Sequence, residues 1–235
     1  FTDGKNVTHS IEYKSQIPLT PVLKAVWHTG MYVMAAWFLL ANLRFMLRLR
    51  RSRKPYPVEN CPYPVYLTAD LPSPCLFGLF HPAVYLTPAA VESPETLRHV
   101  LIHETTHARH LDPLWSLLRC VCLAVYWFDP LVWIAAIFSR RDCELACDEG
   151  ALRQLGESER IPYGQTLLRL IPVAGRPESP MLSATTMTAG KRELKDRVTR
   201  IAENRRTVGV ALLAVVTAAA LVCALTFTGA KPSVR

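Results

Sequence analysis

Hydrophobic and polar positions change period along the chain, and the changes mark its elements. Residues 1–20 are polar and mixed, closing on Pro18 and Pro21. From Ala25 to Leu43 the chain is apolar, with His28 and Tyr32 its only titratable side chains. At helical rise this run spans about 28 Å, enough for a bilayer core, and predicts a transmembrane helix within 21–47. Pro55, Pro57, Pro62 and Pro64 then exclude a helix, and short β-type runs at 64–68, 75–80 and 83–87 are separated by turn residues. They predict a small antiparallel sheet. Ser93-Pro94-Glu95 reads as an N-cap and first turn, starting a helix from about 94 to 110. Asp112-Pro113 interrupts it. The apolar stretch 114–138 is broken by Arg119 and by Asp129-Pro130. Because those charges would be costly in lipid, the stretch reads as two membrane-associated helices meeting at 129–130, the second running to about Gln154. Residues 156–190 mix loop and short helix. Lys191–Arg205 predicts a charged helix with Leu194, Val198 and Ile201 on one stripe, and 208–228 carries no charge, predicting a second membrane span.

Charge fixes the orientation these runs imply. The net charge is +8, and the basic residues pile up at 44–54 and 191–206, each against an apolar run. The positive-inside rule places both clusters in the cytoplasm. The expected layout is therefore an extracytoplasmic segment 1–20, a transmembrane helix 21–47, a cytoplasmic domain 48–206, a transmembrane helix 207–228 and an extracytoplasmic end 229–235, in a multi-pass protein of the cell membrane. Half the residues are hydrophobic, consistent with this. No recognised nucleic-acid motif accompanies the charge, so direct nucleic-acid binding is not expected. Seven cysteines without a CxxC pair read as reduced thiols rather than a disulfide or zinc-ribbon framework. The chain opens on Phe1 rather than Met, as a piece of a longer protein would.

The chemistry concentrates in Val100-Leu101-Ile102-His103-Glu104-Thr105-Thr106-His107. This is HExxH on a predicted helix, where positions four apart share a face and both imidazoles point at one place. His103 and His107 make half of a tetrahedral zinc site, and Glu104 reaches a water there as general base. A catalytic zinc needs a third protein ligand. The natural candidate is Glu144, carried back by the helix pair. Asp148, four residues on, is placed to accept an imidazole N–H. Otherwise, Glu144 and Asp148 would form a solvated face paired with Arg140 or Arg141. His110 lies two turns above His103, about 10 Å along the axis and too far for the same metal. His81 and His99 have no spacing argument.

Three stretches together, Leu101–His107, Trp127-Phe128-Asp129-Pro130-Leu131-Val132-Trp133 and Glu144-Leu145-Ala146-Cys147-Asp148-Glu149, closely resemble the BlaR/MecR-type membrane zinc metallopeptidases. Ser73–Pro82 is similar to the upstream strand motif of that family, and Lys191–Arg197 to the basic helix before its last membrane segment. The resemblance covers about 60–228. It implies an α+β fold: a helical membrane protein with a cytoplasmic glutamate-type zincin (HExxH…ExxxD) domain carrying the small antiparallel sheet. It further implies a signal-transducing antirepressor that cleaves itself, a cytoplasmic transcriptional repressor, or both. Its partners are then a protein substrate and the lipid bilayer, with a homodimer compatible. On the matching positions His103, His107 and Glu144 hold Zn2+, Glu104 is the base, and Asp148 stands behind the ligands. Tyr163, beyond the third ligand, is a candidate oxyanion donor, against a plain packing role. The strand at 75–80 offers an edge for substrate backbone, and the Thr-rich loop 179–190 is a candidate self-cleavage site as well as a plain linker. Two other readings compete: a catalytically silent transducer with a structural zinc, and a CAAX-type or quality-control membrane peptidase. An intact Glu104 speaks against the first, and the Trp-Phe-Asp-Pro turn against the second.

Overall fold

The structure is a computed structural model describing residues 19–170, 185–186, 191–203 and 217. The fold is mostly helical with a small sheet. Helix α1 spans Leu19–Ser52 and is, among the described residues, the one helix long and apolar enough to cross a membrane. The predicted span 207–228 and the loop 179–190 lie outside the described residues, except for 185–186 and 217.

Five strands follow: β1 Lys54–Pro55, β2 Val65–Leu67, β3 Cys75–Phe77, β4 Ala83–Leu86 and, much later, β5 Thr185–Thr186. Their order is β1-β2-β4-β3-β5. The sheet is mixed, not antiparallel as expected: β2 and β4 run parallel, with Val65 opposite Val84, while the other pairs are antiparallel. The β3–β4 hairpin folds back so that β4 slots between β2 and β3, giving β2 a neighbour of its own direction. Alternating side chains identify faces but not neighbours, so the sequence pattern is silent on this. The hairpin turns on Gly78, whose φ of 118° and close approach to the His81 carbonyl suit only glycine.

All four β4 residues are buried, as expected of a central strand covered on both faces. Val84 and Leu86 join Val65, Leu76, Val100, Ala151, Leu155, Tyr163 and Leu167 in the main core. Ala83 and Tyr85 face the other way, with Phe45 and Leu49 of α1. The C-terminal end of the long helix is thus packed against the sheet.

Helix α2, Pro94–Arg109, begins where Ser93 accepts a hydrogen bond from the Thr96 amide at 3.1 Å. Its last turn leads to Leu111, held at φ 58°, a conformation unfavourable for a branched side chain. The reversal starts α3, Asp112–Val125, and Asp129 caps α4, Pro130–Leu155, by accepting from the Leu131 amide at 2.9 Å. The predicted junction at 129–130 is therefore real. Apolar residues remain exposed along both helices, among them Leu117, Leu118, Val121, Leu131, Ile134 and Ile137. The tip of the pair is pinned to α1 by the Trp27 indole, which donates to the Val125 carbonyl at 2.8 Å. Trp127 lies directly over Gly30. Helices α5, Arg160–Arg169, and α6, Lys191–Glu203, complete the body.

Candidate metal centre

Helix α2 presents His103, Glu104 and His107 inward, and all three are fully buried. Helix α4 crosses α2 and delivers Glu144 and Asp148 to the same point, both almost fully buried. The solvated-face alternative for these two acids is thereby removed. The donor atoms of His103, His107 and Glu144 lie within 4.8 Å of one another. The two imidazole Nε2 atoms are 3.1 Å apart, and they stand 3.8 and 3.9 Å from the Glu144 carboxylate oxygens. Ligands held about 2.0–2.1 Å from a tetrahedral zinc stand roughly 3.3–3.5 Å apart, so the triangle is of the right size.

The protons point the same way. Tyr163 donates its one hydroxyl proton to Asp148 at 2.8 Å, so toward His103 Nδ1, 2.7 Å away, its oxygen is the acceptor. His107 Nδ1 lies 2.6 Å from the Asp112 carboxylate, which can only accept. With both Nδ1 atoms donating outward, the Nε2 atoms of the neutral rings are the ones left to bind a metal, and they stand 3.1 Å apart. The residues present fit a divalent metal.

Electrostatics separates two neighbouring glutamates. Burial pushes the Glu104 carboxyl up to about 8, against the pull of His107, and the nearby charge of Glu144 adds to the rise. Burial acts on Glu144 too but is outweighed by the Arg197 guanidinium and the two histidines, which hold it at about 2. For His103, burial opposes the charged form, yet Asp148 and Glu144 win and raise it. Glu144 is thus kept anionic, as a metal ligand must be, and Glu104 is kept ready to hold a proton.

Three neighbours escaped the sequence reading. Asp112 anchors His107, and a detectable signal existed: an acid five residues past the second histidine, at a Pro-marked reversal. Cys147 lies 3.0 Å from His107 Nδ1 and donates to Asp112 at 3.1 Å, and burial pushes its thiol up. Arg197 of α6 is fully buried, donates to both Asp148 oxygens at 2.7 Å, and stands 3.0 Å from Glu144. Its signal was a charge on the apolar stripe of α6, between Leu194 and Ile201. Tyr163 sits behind His103, against Nδ1 and Asp148, on the side of the ring away from Nε2. His110 meets only the far side of the cluster, at Cys147. His99, unassigned from sequence, is buried with Nδ1 2.8 Å from the Thr166 hydroxyl and Nε2 3.2 Å from Glu159, tying α2 to α5. His81 is exposed.

Comparison with known proteins places the chain in a family. The family model described as BlaR1 peptidase M56 matches residues 3–201. The chain belongs to the BlaR1 peptidase M56 family. Regulatory protein BlaR1 of Bacillus licheniformis is 27% identical over 211 residues, 82% of this chain and 34% of that protein. Methicillin resistance mecR1 protein of Staphylococcus aureus is 28% identical over 104 residues, 43% of this chain and 18% of that one. The chain thus spans about a third of the length of the first relative and less of the second. It is a BlaR/MecR-type family member with an M56 peptidase domain.

Proposed function

We propose that this chain carries a zinc endopeptidase of a membrane signal transducer, cutting peptide bonds in itself, in a cytoplasmic repressor, or in both. The observation that carries the reading is the buried triangle His103, His107 and Glu144, with the two imidazole Nε2 atoms 3.1 Å apart. Bound zinc supplies Lewis acidity there, making a water acidic near neutral pH and polarising a peptide carbonyl. Glu104 is the general base: next to the ligand histidine, buried, and raised toward neutrality, it takes the proton and passes it to the leaving amine. Asp112 and Tyr163 fix which nitrogen each imidazole turns inward. Tyr163 then serves as a support of His103 rather than as the oxyanion donor, because its hydroxyl is already engaged by Asp148 and His103.

Self-cleavage has support of its own. Strand β5, within the Thr-rich stretch, pairs antiparallel with β3, Leu76 opposite Thr185 and Cys75 opposite Thr186. Added-strand pairing is how many proteases hold substrate backbone. The same Leu76 backbone interacts with Glu104, so the chain's own segment lies along the edge that borders the base. Helix α1 crosses the bilayer with its Arg-rich end cytoplasmic, and the apolar faces of α3 and α4 meet lipid beside it. Metal analysis of the full chain in detergent tests the core of this reading. One zinc per chain is expected in wild type and in Glu104→Gln, with loss in Glu144→Ala. Stoichiometric zinc in Glu144→Ala would move the third ligand elsewhere.

A further inference from the structure

Helix α6 brings a fully buried guanidinium to the back of the metal centre. Arg197 forks onto Asp148, with Nε to Oδ2 and Nη2 to Oδ1 both at 2.7 Å, and turns Nη1 to Glu144 Oε2 at 3.0 Å. The rest of α6 is fastened independently: Arg141 pairs with Asp196 at 2.6 Å, Ile201 is in the main core, and Arg160 donates to the Ile201 carbonyl at 3.0 Å. The fork is therefore not needed merely to keep the helix against α4 and α5.

We infer that Arg197 is a positioning residue through which α6 completes the metal centre, holding one oxygen of Glu144 so that the other is presented to the metal. This rests on the zinc reading above and deepens it. A carboxylate has two equivalent oxygens and a free terminal torsion, so a ligand glutamate is directed only if its second oxygen is engaged. Here that engagement comes from α6. The charge of Arg197 does not oppose the metal, because the Asp148 fork neutralises it. Asp148 in turn is shared among Arg197, Tyr163 and His103, so the same guanidinium also sets the acceptor behind the other ligand. Helix α6 directly precedes the uncharged stretch 208–228. A displacement of α6 along the chain is thus felt at Glu144, and metal binding is felt at α6 by the reciprocity of linked equilibria.

The test compares wild type, Arg197→Met and Arg197→Lys as full chains in detergent, with zinc affinity by chelator competition and the visible spectrum of the Co2+-loaded site. Arg197→Met keeps bulk but loses the fork, and its zinc affinity is expected to fall about 10–100-fold, with an altered cobalt spectrum at saturation. Arg197→Lys restores charge without the planar fork and is expected in between. In wild type, zinc is expected to slow hydrogen exchange in 191–203, and in Arg197→Met to do so much less. If Arg197→Met melts earlier yet binds zinc as tightly, with the wild-type cobalt spectrum, Arg197 is merely structural and the inference falls alone. A wild-type chain that takes up neither metal overturns the zinc reading, and this inference with it.

Discussion

Asp112 is the neighbour on which the geometry of His107 depends most. Its Oδ2 accepts the His107 Nδ1–H at 2.6 Å and a second bond from Cys147 at 3.1 Å, in a buried position at the start of α3. Burial would raise this carboxyl, but the hydrogen bond from His107 outweighs it and holds the group below its ordinary value. A hydrogen bond to a charged acceptor contributes about 1.5–3 kcal/mol. Loss of an acceptor behind a ligand histidine costs about 10–100-fold in metal affinity, or about 1.4–2.8 kcal/mol. The two scales agree, as they should if the bond acts by fixing the tautomer. Asp112→Asn retains an amide oxygen but no charge, and turned the other way it would offer Nδ1 a donor. About tenfold weaker zinc binding is expected. Asp112→Ala leaves Nδ1 without its acceptor, and the loss is expected near a hundredfold. Chelator competition on the full chain in detergent at neutral pH reads both. Affinities within twofold of wild type for both variants would refute the claim that Asp112 orients His107.

Two further outcomes follow from packing and charge. Gly30→Ala puts a Cβ inside the Trp127 ring, and since that indole also donates to Trp27, the ring cannot simply swing away. The overpacking costs about 1–3 kcal/mol and exceeds the roughly 1 kcal/mol that alanine gains in a helix, so a lower detergent melting temperature and a changed Trp fluorescence are expected. In metal-stripped protein, Glu104 has a folded pKa of about 8 against an ordinary 4.5. The stability tied to its bound proton is fully present below about 4.5 and is lost as pH rises through 8. Stripped Glu104→Gln is therefore expected to match wild type near pH 4.5 and to melt higher than it at pH 8. Parallel melting curves at both pH values would contradict the burial argument.

How much of this was legible in the sequence depends on the range of the interaction. Ser93, Asp129 and the HExxH spacing are local rules, and the caps, the helix junction and the inward-facing histidines all follow from them. Glu144 and Asp148 were reachable because a helix pair returns at a predictable distance and their i, i+4 spacing fixes a shared face. Strand order was not legible, since the β-type runs at 65–67 and 83–86 alternate alike whether they pair in parallel or not. The two-residue strands β1 and β5 are too short for periodicity to register. Arg197 and Asp112 were missed for different reasons. Arg197 acts across about fifty residues from Glu144 and Asp148, where only a polar residue on an apolar stripe hints at burial. Asp112 was read as a helix breaker, although the left-handed Leu111 turns that break into a return toward His107.

The central claim is that Glu104 moves a proton for a metal held by His103, His107 and Glu144. Incubating the zinc-loaded full chain in detergent or vesicles, and mapping new termini by mass spectrometry in wild type and Glu104→Gln, tests it most directly. The account predicts one zinc in each protein, with fragments cut between residues 179 and 190 in wild type alone. Equal cleavage in Glu104→Gln with zinc retained would contradict the assignment of the base.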